Sequence, residues 1–184
     1  MTWSSIVLDA AVPLLTPAQL EAAARIVPGN EEAALEPGYI AAATEYVQRR
    51  TGYAIATQTI LAQCAALPSG PIALPWPPLQ AVTSIKGGDG VAIDPSLYVV
   101  DSTSRPGTVT FPAAPAVAGP YTFELIVGFG DPTQVPPLYL HVVQLLAVHL
   151  LTAGRDLAIV GTIVAETPFG FEDLIQPLCL LTLA

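Results

Sequence analysis

Tyr121–Leu151 reads YTFELIVGFGDPTQVPPLYLHVVQLLAVHLL. Two periods follow one another in it. Tyr121, Phe123, Leu125, Val127 and Phe129 alternate with Thr122, Glu124, Ile126 and Gly128, the spacing of a strand with one buried face. Pro136-Pro137 then opens a helix expected to run to about Ala153. Its apolar residues go nearly all the way round: Leu138, Leu140, Val142, Val143, Leu145, Leu146, Val148, Leu150 and Leu151. Only His141, Gln144 and Thr152 form a polar stripe. A helix apolar on all sides is expected to be buried on all sides. Leu138, Val142, Leu145, Leu146 and Leu150 are therefore expected core residues.

Working upstream, Thr16-Pro17-Ala18-Gln19 has the form of a capping box with proline at the first helical position. Leu20, Ala24 and Val27 give that helix a short apolar face, and Pro28-Gly29 is its expected end. A second helix is expected from Glu36-Pro37 to Arg50, with Ile40, Ala43 and Val47 inward and Gly52 as its C-terminal cap. Strands are expected from Thr57 towards Ala66, at Leu79–Lys86, at Val91–Ile93, and as a pair at Leu97–Asp101 and Thr108–Phe111. Prolines at 68, 71, 75, 77 and 78 punctuate the region between. Downstream, Leu157–Ala165 is uncharged and β-prone, and Phe171–Leu183 reads as a short terminal helix interrupted near Pro177. The chain is expected to form one domain over 1–184, helical over about 16–52 and 136–184, with the β region over about 53–130.

Composition constrains the surface. Charged residues are 11% of the 184, and hydrophobic ones 52%. A compact monomer of this mass exposes roughly 8,400 Å². Six basic and fifteen acidic side chains over that area leave about one charge per 400 Å², the size of the largest apolar patch on an ordinary monomer. Part of this surface is expected to be covered by other protein.

The net charge of −9 argues against a grip on nucleic acid, which needs many Lys and Arg against phosphate. It also argues against anionic membranes. It is compatible with a conduit whose wall repels DNA. No basic residue precedes Arg25, which argues against a signal peptide. Leu138–Ala153 is too short and too interrupted by polar residues to span a membrane.

Catalytic signatures are missing. There is no nucleophile elbow, zinc-protease or phosphate-loop motif. Gly87-Gly88-Asp89-Gly90 precedes a strand rather than a helix, so it reads as a hairpin turn. His141 and His149 lie about 12 Å apart along a helix, too far to share a metal. Cys64 and Cys179 read as isolated thiols. Neither an enzyme, a metal site nor a cofactor is expected. Trp76, within Leu74-Pro75-Trp76-Pro77-Pro78-Leu79, admits two readings. The stiff, indole-bearing segment is either a contact element or packs on its own sheet.

Four stretches in this order resemble the head-to-tail connector (adaptor) proteins of long-tailed bacteriophages and gene transfer agents. They are Tyr39–Gly52 (YIAAATEYVQRRTG), Leu74–Lys86 (LPWPPLQAVTSIK), Phe123–Leu151 with its Gly-aromatic-Gly turn and double proline, and Arg155–Leu178 (RDLAIVGTIVAETPFGFEDLIQPL). The likeness covers residues 16–180 or so, and it implies an α+β fold, a small helical bundle with a small antiparallel β region inserted between helices. It implies a homo-oligomeric ring of about twelve copies under the portal vertex, in the neck of a virion or phage-like particle assembled in the bacterial cytoplasm. Such a ring prolongs the DNA channel, lets DNA pass without specific binding, and offers a platform to stopper and tail proteins. It implies no catalysis and no cofactor. Another neck component, a stopper or tail-completion protein, is the alternative. A small ligand-binding or enzymatic domain is a more distant one.

Docking on the portal in this family often uses the C-terminal segment, here Leu178, Cys179, Leu180, Leu181 and Leu183. The family's basic tail is replaced by an uncharged end, so apolar insertion is expected instead of charge pairing. Tyr39, Tyr46, Arg49, Trp76, Pro77, Pro78, Phe169 and Phe171 are the expected contacts to sister subunits or the tail side.

Overall fold

A computed structural model of the chain describes residues 2–9, 12–26, 34–68, 70–159 and 171–179. In chain order the elements are β1 (Ser4–Val7), α1 (Pro17–Ala24), α2 (Glu36–Thr51), β2 (Gln58–Cys64), β3 (Ile72–Ala73), β4 (Leu79–Lys86), β5 (Val99–Asp101), β6 (Thr108–Thr110), β7 (Tyr121–Val127), α3 (Pro137–Ile159) and α4 (Phe171–Ile175). They separate into two units. One comprises Met1–Val12 and Ala56–Asp131, and the other Pro13–Ile55 and Pro132–Ala184.

This corrects the expected architecture. The chain is α+β, but it is not a small helical bundle carrying a minor β insertion. Among the described residues there are two antiparallel sheets with seven strands beside four helices. The β unit also takes in the N-terminal strand β1, which lies before the first helix in sequence.

In the β unit, one sheet runs β1–β2–β7–β4 and the other β3–β6–β5. β7 is central. Its Phe123 and Leu125 lie opposite Ala62 and Ile60 of β2 and opposite Ile85 and Val82 of β4. The alternation read from the sequence holds as far as Val127, where the strand ends: Tyr121, Phe123, Leu125 and Val127 are buried and the residues between them half-buried, but Gly128 is buried and Phe129 half-buried. β4 follows its expected bounds but shifts register twice against β7, between Leu79 and Ala81 and between Val82 and Ser84. Such bulges increase local twist. Of the expected strand at Val91–Ile93, only a single bridge between Ala92 and Lys86 forms.

Glycine is required at 128, in the turn leaving β7. Its φ is +118°, and a Cβ there would lie 2.5 Å from the Ala56 carbonyl oxygen. Thr57 Oγ1 donates to the Gly130 carbonyl at 2.8 Å and so ties the same turn down.

In the helical unit, α1 starts as expected. The Thr16 hydroxyl accepts from Gln19 N–H, and Gln19 Oε1 accepts from Thr16 N–H at 2.8 Å. The helix stops short of Val27 because Arg25 takes the left-handed conformation at φ 57°. α2 ends on Gly52 at φ 76°, whose N–H donates to the Gln48 carbonyl. Gln48 Oε1 accepts from Ile55 N–H at 2.8 Å, fixing the chain as it leaves.

α3 packs against α1, α2 and α4. It extends to Ile159, beyond the expected Ala153, so Leu157–Ile159 are helical. Gly154 does not stop it, since one glycine costs a helix only about 1 kcal/mol. α3 is also not buried all round. Tyr139, Val142, Val143, Leu146, Ala147 and Leu151 are buried, whereas Leu145 and Leu150 are half-buried and Leu138 is 38% exposed.

Candidate interaction surfaces

The terminal segment is anchored where it is described. Tyr139 Oη donates to the Leu178 carbonyl at 3.2 Å. The Cys179 thiol lies 3.4 Å from the Arg50 carbonyl and 3.5 Å from that of Ile175. Leu178 and Cys179 are both half-buried. Leu180, Leu181 and Leu183 lie outside the described residues, as do Phe169 and the 160–165 part of the β-prone stretch.

Phe171 is placed differently from the expectation for a contact residue. It is fully buried in α4, with its ring 6.0 Å from that of Tyr46. In the protomer it is a core side chain, because α4 has only one apolar face and Phe171 and Ile175 fill it. Tyr46 itself is 41% exposed on α2. Tyr39 is half-buried on the same helix. Arg49 pairs with Glu45 at 2.6 Å, both largely exposed. An exposed pair of this kind contributes about 0–1 kcal/mol, so both charges remain available to a neighbour.

Trp76 packs on its own sheet. Its indole N–H donates to Ser5 Oγ at 3.0 Å, and Pro77 and Pro78 are buried. Its φ of 60° is a conformation costing a non-glycine residue about 1–2 kcal/mol. The bond to Ser5 and the burial of the following prolines offset that cost. A second indole completes the clasp on β1. Trp3 donates to the Ala73 carbonyl at 3.2 Å and meets Phe123 edge-on at 5.3 Å.

Sequence reading passed over several of the more exposed apolar groups of the β unit. Ile6, Val7 and Leu8 on and after β1 are 68%, 53% and 49% exposed, and Leu97 and Val99 beside and on β5 are 55% and 62%. Strand runs of three or four residues carry too little alternation to show which face is buried, which is why the sequence did not mark them.

Two carboxylates are held ionised near β5. Asp101 accepts from Thr103 Oγ1 at 2.6 Å, from Thr103 N–H at 2.8 Å and from Ser104 N–H at 3.3 Å. These bonds, the Thr103 hydroxyl first, lower its pKa to about 2. Asp94 accepts from Ser96 N–H, which lowers its pKa as well. Because both are depressed in the fold, they favour it above the ordinary carboxylate range, and that contribution is lost as the pH falls through their lowered values, about 2 for Asp101. Burial pushes the Cys64 thiol up, which disfavours the reactive thiolate.

Among the described residues, no group of three or more His, Cys, Asp or Glu is placed to hold a metal ion. No described helix is long and apolar enough to cross a membrane.

The chain matches no protein-family model and no curated protein. Its fold is that of chains in gene transfer agent particles. A chain in the virion of a native gene transfer agent particle superposes with a TM-score of 0.75 at 18% identity, covering 98% of this chain and 97% of that one. A chain in the neck of an empty particle, computed with C6 symmetry, gives 0.77 at 20% identity, covering 100% and 98%. One in the neck of a native particle, computed with C12 symmetry, gives 0.68 at 20% identity with the same coverage.

Proposed function

We propose that this protein is a structural component of the neck of a tailed phage or gene transfer agent-like particle. In this reading it is the adaptor that forms a ring beneath the portal. The observation that carries the proposal is the end-to-end likeness of fold to a chain from such a neck, at full coverage of this chain and 98% of the other. Symmetries of C6 and C12 in those necks support a homo-oligomeric ring of about twelve copies, with the two units of each copy acting as one adaptor domain.

The physical chemistry agrees. A chain with only 11% charged residues suits a subunit flanked by sisters. Leu138, exposed on α3, and Tyr46 and Arg49, exposed on α2, offer contacts for them. The excess of acids makes the ring a wall that repels passing DNA instead of retaining it. The uncharged C-terminal segment docks on the portal, and the opposite side of the ring receives stopper or tail proteins. The role is structural, with no cofactor and no reaction.

Carbodiimide coupling, which joins carboxylates to lysine amines, tests this in purified particles, because the chain's acids outnumber its basic residues fifteen to six. The expected products link its Asp and Glu residues to portal lysines. Products confined to capsid-shell or tail-tip proteins would overturn the reading.

A further inference from the structure

β5 is an end strand of its sheet, so no described strand pairs with its outer edge. Natural edges are usually guarded by charge, proline or a bulge along the strand. β5 is short and ends on the charged Asp101, but Val99 and Val100 carry no such guard and pair with Thr110 and Val109 of β6 in unbroken register. Leu97 and Val99 are 55% and 62% exposed, and Val100 is 37% exposed.

The edge is also rigid. Tyr98 is buried against the Phe111 ring at 5.7 Å. The Asp94 carboxylate closes the turn before the strand, and that of Asp101 closes the turn after it. The result is a short edge with two exposed valines, preceded by the exposed Asp94 and ended by the exposed Asp101.

We infer that the β5 edge accepts an added strand from a different protein, one whose extended segment has an apolar middle and basic residues at both ends. Backbone hydrogen bonds would supply the pairing, Leu97, Val99 and Val100 the apolar contact, and Asp94 and Asp101 the choice of partner. A second copy of this chain is a poor occupant. It carries six basic residues against fifteen acidic, and nowhere do basic residues flank a short apolar stretch at both ends. Copy against copy would set acid against acid. The inference stands on the β unit alone and does not depend on the neck reading.

The test uses the full ¹⁵N-labelled chain and two synthetic peptides, KKVTVTVKK and EEVTVTVEE. The lysine-ended peptide is expected to shift the amide signals of residues 94–101 and few others, and the glutamate-ended one to leave them in place. Asp94→Asn with Asp101→Asn keeps the oxygen acceptors of both turns and should weaken binding about five- to tenfold. Val99→Lys, at an exposed position, should abolish it while signals elsewhere stay unchanged. Equal binding of the two peptides, or shifts scattered over the surface, would overturn the inference. So would concentration-dependent shifts at 94–101 without peptide, which would make a second copy the occupant.

Discussion

Val142→Asp leaves the helical unit unfolded. Val142 has no exposed surface and sits on the face of α3 that packs against the other helices. A carboxylate there must either lose its hydration or take up a proton. An unpaired buried charge ranks among the few single changes worth about 4 kcal/mol or more, close to the whole stability of a marginal domain. Circular dichroism and urea titration should show lost helix signal and no cooperative transition for that unit.

Leu145→Asp is the control. Leu145 is only half-buried, although sequence periodicity places it in the core. Its carboxylate can reach water, so the variant should stay folded with a smaller loss. Equal damage from both substitutions would mean that α3 is covered on its outer side as well.

Deletion of residues 180–184 should leave the protomer folded and block its attachment to portals. The cut falls after the Tyr139–Leu178 hydrogen bond and the Cys179 contacts, so the described anchors of the terminal segment remain. A cut at Pro177 would remove them and confuse a folding defect with a docking defect. Particles carrying the truncated chain are expected to accumulate as filled heads without tails, counted by negative-stain microscopy. Tailed particles at normal yield would mean that the terminal leucines do not dock.

The parts of the fold legible in the sequence are those whose cause is local. Thr16 and Gln19 cap α1 from three residues apart, Gly52 ends α2 by its own conformational freedom, and β7 shows its buried face because seven residues suffice for a period of two. The parts that were not legible depend on distant partners. β1 is a strand because Ser4–Val7 pair with Ile60–Gln63. Trp76 folds back onto its sheet because Ser5, 71 residues away, accepts its N–H. The size of the β unit was underestimated for the same reason. Its short strands have no periodicity of their own, and they exist through their neighbours.

The candidate surfaces were less legible still. An apolar residue in a sequence does not announce whether it fills a core or faces a partner. Phe171 and Leu138 show both errors: the first is buried and the second exposed. Exposure on the folded protomer, not hydrophobicity in the chain, is what marks a surface for contact.

The central claim is that this chain forms a neck ring. Electron cryomicroscopy of purified particles, with the chain carrying a small fused domain at its N-terminus, tests it most directly. The account predicts a ring of about twelve extra densities immediately below the portal, around the DNA channel. Labels on the capsid shell or at the tail tip, or particles that lack the chain altogether, would contradict it.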